Sequence, residues 1–316
     1  MRIKPAAIPF SLQLLASTAA AQWNPLNPVK SDEKQTDGVL LRMQSGLLRL
    51  RVCSDSIVRI LYTPTSSFPA VKHYAVIKTS WPATRFSLES TGKDVTLNTS
   101  QLKVIVARKD GAIVFMDSAG NRLMQSSDRR MSPVVVNGER TYHAEEFITT
   151  WGSPEGFFGL GQHQAGVWNY RGESVDISQD NSNISIPMLL STNGYGLFWD
   201  NPSRSRFNNR FMQSLYISSE VADQIDYYFI YGPEFDKILG AYRELTGAAC
   251  NLADVRARRF DCAYGARDGI LEPKRCEPHR AARLPGCRCG LHALRRRWAH
   301  LRLREGRLFD HSYSLG

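Results

Sequence analysis

Short runs in which apolar and polar residues alternate dominate the chain between residues 46 and 199. In one of them, Leu102, Val104 and Val106 fall on the same side of an extended backbone. Such alternation is typical of half-buried strands. The pattern therefore predicts strands at Leu47–Cys53, Ser56–Tyr62, Tyr74–Thr79, Arg85–Ser90, Asp94–Asn98, Leu102–Ala107 and Ala112–Met116.

Turn residues between these runs indicate an antiparallel arrangement. The segment Asp117–Asn121 is typical of a turn, and Asn193-Gly194 is a strong hairpin pattern between two apolar runs. The polar, acidic segment Ser174–Asn183 is expected to be a loop. Many short strands at this spacing predict a mainly β fold, an antiparallel β-sandwich or barrel.

One helix is predicted near the end of this region, directly after a strand at Ile225–Tyr231. Pro233 suits a first helical turn, Glu234 and Asp236 suit its positive end, and Gly247 suits its C-terminus. The expected apolar face consists of Phe235, Ile238, Leu239, Tyr242 and Leu245.

Composition changes this picture only at the two ends. The chain has 316 residues, 42% hydrophobic and 22% charged, which suits a globular protein and excludes disorder, collagen and coiled coil. The net charge of +10 lies outside residues 22–249, which carry 23 basic and 23 acidic residues. The central region is therefore not a basic groove for nucleic acid.

The first 21 residues are typical of a cleaved secretory signal peptide. Arg2 and Lys4 precede an apolar run at Ala6–Leu15, and Ala19–Ala21 supplies the small residues of a cleavage site. A helix of the fold is the alternative, which two prolines disfavour. The run is too short to span a bilayer, and no other run of about 18 apolar residues occurs. We expect a secreted or periplasmic protein without membrane insertion.

Five ordered sequence blocks follow each other between residues 158 and 247. They are Phe158–Gln164, Trp168–Glu173, Asp180 with Ile186-Pro187, Gly194–Pro202, and Asp226–Pro233 with Tyr242–Gly247. Together they resemble the galactose-mutarotase-like N-terminal β-sandwich of glycoside hydrolase family 31, and the resemblance covers roughly residues 40–249. The blocks are most similar to those of bacterial α-xylosidases, which remove α-linked xylose from xyloglucan fragments.

The resemblance implies a catalytic (β/α)₈ barrel after the sandwich, where two aspartates perform retaining hydrolysis without a cofactor or metal. Such carboxylates stand about 5 Å apart across the anomeric carbon. The family's Trp-x-Asp-Met nucleophile motif occurs at none of the six tryptophans. A barrel also needs about 250 residues, far more than follow Ala249. We therefore expect no catalytic residues in this chain, which should be inactive.

The resemblance also implies that a loop of the sandwich carries an aspartate that contacts sugar hydroxyls. Asp180 matches this residue by its place, and a carboxylate accepts two hydroxyl hydrogen bonds. The alternative is that Asp180 caps a turn with Asn181 and Ser182. Trp168 could stack on a sugar face, with a buried sheet aromatic as the alternative.

Three further polar residues are interpreted as structural. His163 is expected to be a framework residue rather than a base. Glu145 and Glu146 are adjacent, so on a strand they point to opposite faces and cannot act as a pair.

The family pattern stops after Ala249. The last 67 residues contain 14 Arg, one Lys and five Cys, a composition typical of a GC-rich gene translated out of frame, or of a disordered tail. We hypothesise a frameshift near codon 249, which resequencing of codons 240–320 would reveal. The alternatives are a nucleic-acid or heparin patch around Arg295–Trp298, and a metal site whose ligands would be Cys276, Cys287, Cys289 and His292. The spacing of those four residues matches none of the usual ligand patterns.

These observations predict four regions: a signal peptide at 1–21, a sandwich at 22–232, a linker helix at 233–249 and the tail at 250–316. The expected function is that of the N-terminal part of a retaining α-glycosidase with an oligosaccharide partner, and no nucleic acid. The alternative is a stand-alone carbohydrate-binding sandwich. Without a barrel, we expect the apolar face of the helix to be open to water and the fragment to be poorly soluble.

Overall fold

The computed structural model describes residues 26–149, 154–211 and 214–247, with two short segments at 265–267 and 270–272. The first three ranges form two antiparallel sheets and a helix, which confirms the predicted mainly β class. The strands are β1 Val29–Gln35, β2 Gly38–Met43, β3 Leu47–Ser54, β4 Ile57–Thr63, β5 Ser87–Ser90, β6 Asp94–Asn98, β7 Leu102–Ala107, β8 Ile113–Asp117, β9 Arg122–Val136, β10 Glu139–Thr149, β11 Phe157–Gln162, β12 Ser174–Ile177, β13 Ile184–Ser191, β14 Tyr195–Trp199, β15 Ser205–Asn208, β16 Ser214–Ala222 and β17 Ile225–Tyr231; the helix is α1 Phe235–Thr246.

Each sheet combines strands that are consecutive in the chain with strands from distant parts of it. Sheet A has the order β1-β2-β3-β4-β17-β14-β13-β11, and sheet B has the order β12-β15-β16-β10-β9-β8-β7-β6-β5. Most neighbours in both sheets are consecutive hairpins. Long-range pairs are also present, since β17 lies between β4 and β14 in sheet A and β16 pairs with β10 in sheet B.

The core lies between the inner faces of the two sheets. Leu102, Val104 and Val106 are buried, as their alternation predicted. Phe115 of sheet B stacks on Phe229 of sheet A, with ring centroids 4.1 Å apart. Dispersion and apolar burial at such contacts hold the layers together.

The helix covers part of the outer face of sheet A. Ile238 and Leu245 are fully buried there in a second apolar cluster with Phe198 and Tyr228. The expectation that this helical face is open to water is therefore wrong, because the sheet itself covers it. Leu239, which we placed on the same face, is 44% exposed.

The segment Tyr74–Thr79 is not a strand, contrary to prediction. The backbone N–H groups of Ile77 and Lys78 donate to the carbonyl of Leu245, at 3.1 and 3.2 Å. The alternating apolar residues pack against the helix cluster through Val76 instead of lining a sheet. The end of the helix thus supplies the hydrogen-bond acceptor that a neighbouring strand would supply in a sheet.

The predicted loop Ser174–Asn183 is shorter than expected. Its first four residues form β12, which pairs with β15. Val175 packs against the core and Ile177 is buried within it, so a short alternation was hidden in a polar segment. The predicted hairpin at Asn193-Gly194 and the strand Ile225–Tyr231 are confirmed.

Residues 250–316 form a unit of their own, in which Gly265–Arg267 pairs antiparallel with Ile270–Glu272. The predicted signal peptide, the arginine patch and the cysteine ligand set lie outside the described residues. No helix in the described part of the chain is both long enough and apolar enough to cross a bilayer.

Candidate functional site

The strand β11 bends sharply before it leaves sheet A. Gly159, Leu160 and Gly161 have φ values of 93°, 62° and 97°, and the pairing with β13 shifts register there. A Cβ atom on Gly161 would lie 1.9 Å from the carbonyl oxygen of Ile184. The glycines of this block are therefore required by the backbone, which turns into residues 163–173, named here the edge loop.

His163 opens the edge loop and has a structural environment. Its Nε2 lies 2.8 Å from the carbonyl oxygen of Leu160, to which it donates. Its ring meets that of Tyr170 edge-on, with centroids 6.4 Å apart. The backbone N–H of Gln164 donates to Oδ1 of Asn183 at 3.0 Å and so joins the edge loop to residues 178–183, the Asp180 loop.

Asp180 caps the turn of its own loop, as the alternative interpretation proposed. Its Oδ1 accepts the N–H groups of Ser182 and Asn183 at 2.8 Å each, and its Oδ2 accepts the side-chain amide of Asn183 at 2.8 Å. These bonds, the one from Ser182 first, lower the pKa of the carboxyl group. The ionised carboxylate is exposed, and one lone pair on Oδ2 remains for a further donor.

Trp168 is 86% exposed, so the alternative that it is a buried sheet aromatic is wrong. The neighbouring Asn169 fixes this position, because its Oδ1 accepts the N–H of Phe157 at 3.0 Å. The N–H of Tyr170 donates to the carbonyl of Phe157 at 2.8 Å. The edge loop therefore returns to the start of β11 and presents the indole to solvent.

The structure does not bring Asp180 and Trp168 together. The Asp180 loop is attached beside Gln162, at the end of β11, whereas Trp168 follows the backbone back to Phe157, at its start. Phe157 and Gln162 are the first and last residues of this strand. The Asp180 loop and Trp168 are therefore anchored at opposite ends of β11.

A cleft of about 220 Å³ lies next to the Asp180 loop. It is lined by Gln179 of that loop, by Ser185, which follows the loop, and by Tyr74 and Asp200. Tyr74 is 64% exposed, and sequence reasoning missed it because its segment was assigned to a strand. This cleft is the candidate functional site. The ring of Tyr74 lines it, and the ionised Asp180 follows the lining residue Gln179.

A buried polar network lies beneath this cleft. Arg59 donates to Asp226 from Nε at 2.8 Å and from Nη2 at 2.5 Å. His73 accepts from Arg59 Nη2 at Nε2, at 2.9 Å, and donates from Nδ1 to Asp200 at 2.7 Å. Burial and the neighbouring Asp226 raise the pKa of the Asp200 carboxyl group.

His73, Asp200 and Asp226 have the spacing of a metal site, since their ligand atoms lie within 4.8 Å of one another. The arrangement does not suit a metal, because the guanidinium of Arg59 already supplies the positive charge and both histidine nitrogens are hydrogen-bonded. The network instead ties the segment that carries Tyr74 to sheet A. Sequence reasoning missed it because Arg59 and Asp226 are 167 positions apart.

The two aspartates of the network also lie near the spacing of a retaining carboxylate pair, about 5 Å. They do not fit that role. Asp226 has a side chain only 3% exposed and is held by Arg59 through both oxygens. A sugar cannot reach it, so among the described residues these carboxylates serve structure.

Glu155 anchors the start of β11 from inside the fold. Its Oε1 accepts from Ser191 Oγ at 2.5 Å and from Tyr195 OH at 2.8 Å, and Arg171 of the edge loop donates to its carbonyl. Burial raises the pKa of this carboxyl group. Glu145 and Glu146 point to opposite faces, as predicted, since Glu146 is fully buried and Glu145 bonds Tyr216 on the outside.

Comparisons with known proteins agree with this fold. Residues 47–208 match the family model of the glycosyl hydrolase 31 N-terminal galactose mutarotase-like domain. An α-xylosidase of Saccharolobus solfataricus is 31% identical over 216 residues, which are 66% of this chain and 29% of that protein.

Two solved structures share the fold. An α-xylosidase of Xanthomonas citri superposes with a TM-score of 0.65 at 17% identity, covering 69% of this chain and 40% of that enzyme. A dextranase of Flavobacterium johnsoniae, in complex with isomaltotriose, gives a TM-score of 0.60 at 22% identity over 71% of this chain and 29% of that one. This chain thus spans less than half the length of these proteins. By its match over residues 47–208, the chain belongs to glycoside hydrolase family 31, in the part that forms the N-terminal galactose mutarotase-like domain.

Proposed function

We propose that this chain forms the substrate-contacting N-terminal domain of a secreted, retaining α-glycosidase that releases terminal α-linked xylose from xyloglucan oligosaccharides. The observation that carries the proposal is the exposed, ionised Asp180 beside an open cleft, in a domain that matches family 31. The α-xylosidase relative over 66% of the chain supports the sugar class.

In this proposal the domain binds sugar, and the catalytic carboxylates belong to a barrel. The Asp180 carboxylate would accept hydrogen bonds from sugar hydroxyls, and Tyr74 would offer a ring face at the cleft. Because Asp226 of the Asp200–Asp226 pair is buried, we expect that the 316-residue chain does not turn over an aryl α-xyloside. Measurable turnover by the purified chain would contradict this assignment of roles.

Saturation-transfer NMR with methyl α-xyloside tests the binding role, because the method detects millimolar complexes. Asp180→Ala should remove most of the signal. Asp117→Ala is the matched control, since Asp117 is an exposed aspartate that caps a turn in the same way, accepting the backbone and side-chain N–H groups of Asn121 at 2.8 Å each. Equal signals from both variants would refute the role of Asp180.

The alternative is a stand-alone carbohydrate-binding module. Calorimetry with xyloglucan oligosaccharides separates the two. A domain that contributes one loop to a larger site should bind no more tightly than millimolar, about −4 kcal/mol. A micromolar dissociation constant would favour the stand-alone module.

A further inference from the structure

The outer face of sheet B carries charges of alternating sign. The strand registers place Asp176 opposite Arg206, Arg206 opposite Ser218, Ser218 opposite Glu145, and Glu145 opposite Arg130. With about 4.8 Å between strands, this charge row extends roughly 19 Å across five strands. Its members alternate along their strands with core residues, so they share the outer face.

A second row with aromatic residues runs beside the first. Asn208 lies opposite Tyr216, and Tyr216 lies opposite Phe147. The two rings are 5.0 Å apart, and the guanidinium of Arg130 lies 4.7 Å from the centre of Phe147. The hydroxyl of Tyr216 donates to Glu145 at 2.5 Å and so joins the aromatic row to the charge row.

A cleft of about 340 Å³ opens over one end of the two rows. Two guanidiniums and two carboxylates line it, those of Arg204, Arg206, Asp176 and Glu220, together with the ring of Tyr216. Asp176 accepts from Arg204 at 2.9 Å and from Arg206 at 2.5 Å, and both arginine side chains remain more than half exposed.

This charge balance selects the kind of ligand. An anion would meet Asp176 and Glu220, and a cation would meet the two arginines, so neither gains on balance. A neutral ligand with many hydroxyl groups can donate to the carboxylates and accept from the guanidiniums at once. The half-buried ring of Tyr216 adds an apolar surface of the kind that packs against a sugar ring.

A protein partner fits this face less well. Asp and Glu are depleted at protein interfaces, whereas this face carries Asp176, Glu145 and Glu220. None of the large exposed hydrophobic side chains among the described residues belongs to either row.

We propose that the outer face of sheet B binds a neutral oligosaccharide, laid along the two rows and separate from the cleft beside Asp180. The chain of sugar rings crosses the strands, with one ring against Tyr216 and hydroxyl groups on Asp176 and Arg206. The sugar class rests in part on the proposed function. Binding at this face needs no hydrolysis, so the inference can hold where that proposal fails.

Native electrophoresis of the 316-residue chain in gels that contain xyloglucan tests the inference, because binding slows migration. Asp176→Asn should weaken binding about tenfold, the effect of losing charge-assisted hydrogen bonds. Asp37→Asn is the matched control, since Asp37 also bridges two arginines, Arg49 at 2.9 Å and Arg51 at 2.6 Å, on sheet A. It should migrate like the parent chain.

A second pair of variants tests the aromatic row. Tyr216→Ala should abolish the retardation, and Tyr216→Phe should keep most of it because the ring remains. Thermal melting of each variant shows whether it is folded. Asp180→Ala should leave the retardation unchanged while it removes the methyl α-xyloside signal, which distinguishes this inference from the proposed function.

Three outcomes would overturn the inference. In the first, the parent chain shows no retardation. In the second, the parent, Asp176→Asn and Tyr216→Ala are retarded equally. In the third, Asp37→Asn loses as much retardation as Asp176→Asn does. Retardation by heparin in place of xyloglucan, lost in Arg206→Gln, would show an anion site on this face instead. A parent chain that dimerises in ultracentrifugation, and a monomeric Asp176→Asn variant, would assign the face to contact between copies.

Discussion

The Nδ1 atom of His73 lies 2.7 Å from Oδ2 of Asp200 and joins a long irregular segment to the end of β14. On its other side, the ring accepts from Arg59 at 2.9 Å. A histidine between a donor and an acceptor is neutral with its proton on Nδ1, since the arginine cannot accept. Through this ring, the segment that carries Tyr74 is fixed beside the cleft.

Replacement of His73 by alanine should therefore destabilise the domain by about 1–3 kcal/mol, because it leaves buried polar groups without partners. Urea denaturation measures this. His143→Ala is the control, because the His143 ring is more exposed and lies 3.6 Å from its nearest carboxylate. Equal midpoints for the two variants would show that the His73 bridge contributes nothing.

Removal of the Asp226 charge from its ion pair with Arg59 should destabilise the domain more than replacement of His73 does. Asp226→Asn removes the carboxylate that is hydrogen-bonded to a buried guanidinium, which we expect to cost about 3–5 kcal/mol. Asp37→Asn breaks more exposed pairs on the same sheet and should cost less than about 1 kcal/mol. A similar loss of unfolding free energy in both would contradict the importance of burial.

Glu155 should make stability depend on pH. Because its pKa is raised in the fold, the folded state holds a proton more tightly than the unfolded state, and stability falls as pH rises above the ordinary value of 4.5. Glu155→Gln removes this effect. The unfolding free energy of the variant minus that of the parent should therefore increase between pH 4.5 and 7. Parallel pH profiles for the two proteins would exclude the expected proton binding.

Two glycines with similar backbone angles should differ in their tolerance of alanine. Gly161 has a φ of 97° and a carbonyl oxygen 1.9 Å from the position of a Cβ, while Gly120 has a φ of 88° and open space. Gly120→Ala should cost about 1–2 kcal/mol from backbone strain alone. Gly161→Ala should cost clearly more and lower the melting temperature further. The reverse order would show that the bend in β11 adapts.

Alanine substitutions of two leucines on the helix should differ in their cost in unfolding free energy, because one leucine is buried and the other is exposed. Leu245→Ala should cost about 2–5 kcal/mol, because that side chain is fully buried against sheet A. Leu239→Ala should change the unfolding free energy by less than about 0.5 kcal/mol, since that residue is 44% exposed. Denaturation of the two variants side by side decides this.

Local patterns predicted the mainly β class and strands such as β3 to β8, whereas the long strands β9 and β10 were not predicted. Alternation and turn residues identify strands such as β7 and the hairpin at Asn193-Gly194, because those features depend on neighbours in sequence. They failed at Tyr74–Thr79, where a helix end replaces the neighbouring strand. They also failed at β12, where only Val175 and Ile177 mark the inner face.

The candidate site was less predictable from the sequence. Family resemblance singled out Asp180, and the structure adds that its carboxylate already caps a turn. The exposure of Trp168 depends on Asn169 and Phe157, a contact across a loop that no periodicity records. The charge row on sheet B needs the registers of β12, β15 and β16, which are fixed only when the strands pair.

The position of β17 also has a consequence for synthesis of the chain. Its partner β4 is almost wholly buried, yet the Arg59–Asp226 pair that fixes it joins positions 167 residues apart. At 5–20 residues per second, a ribosome leaves the apolar edge of β4 unpaired for roughly 10–30 s. During that time the nascent chain presents an open strand edge to other chains. The yield of soluble protein should thus depend on translation speed and on chaperones that hold this edge.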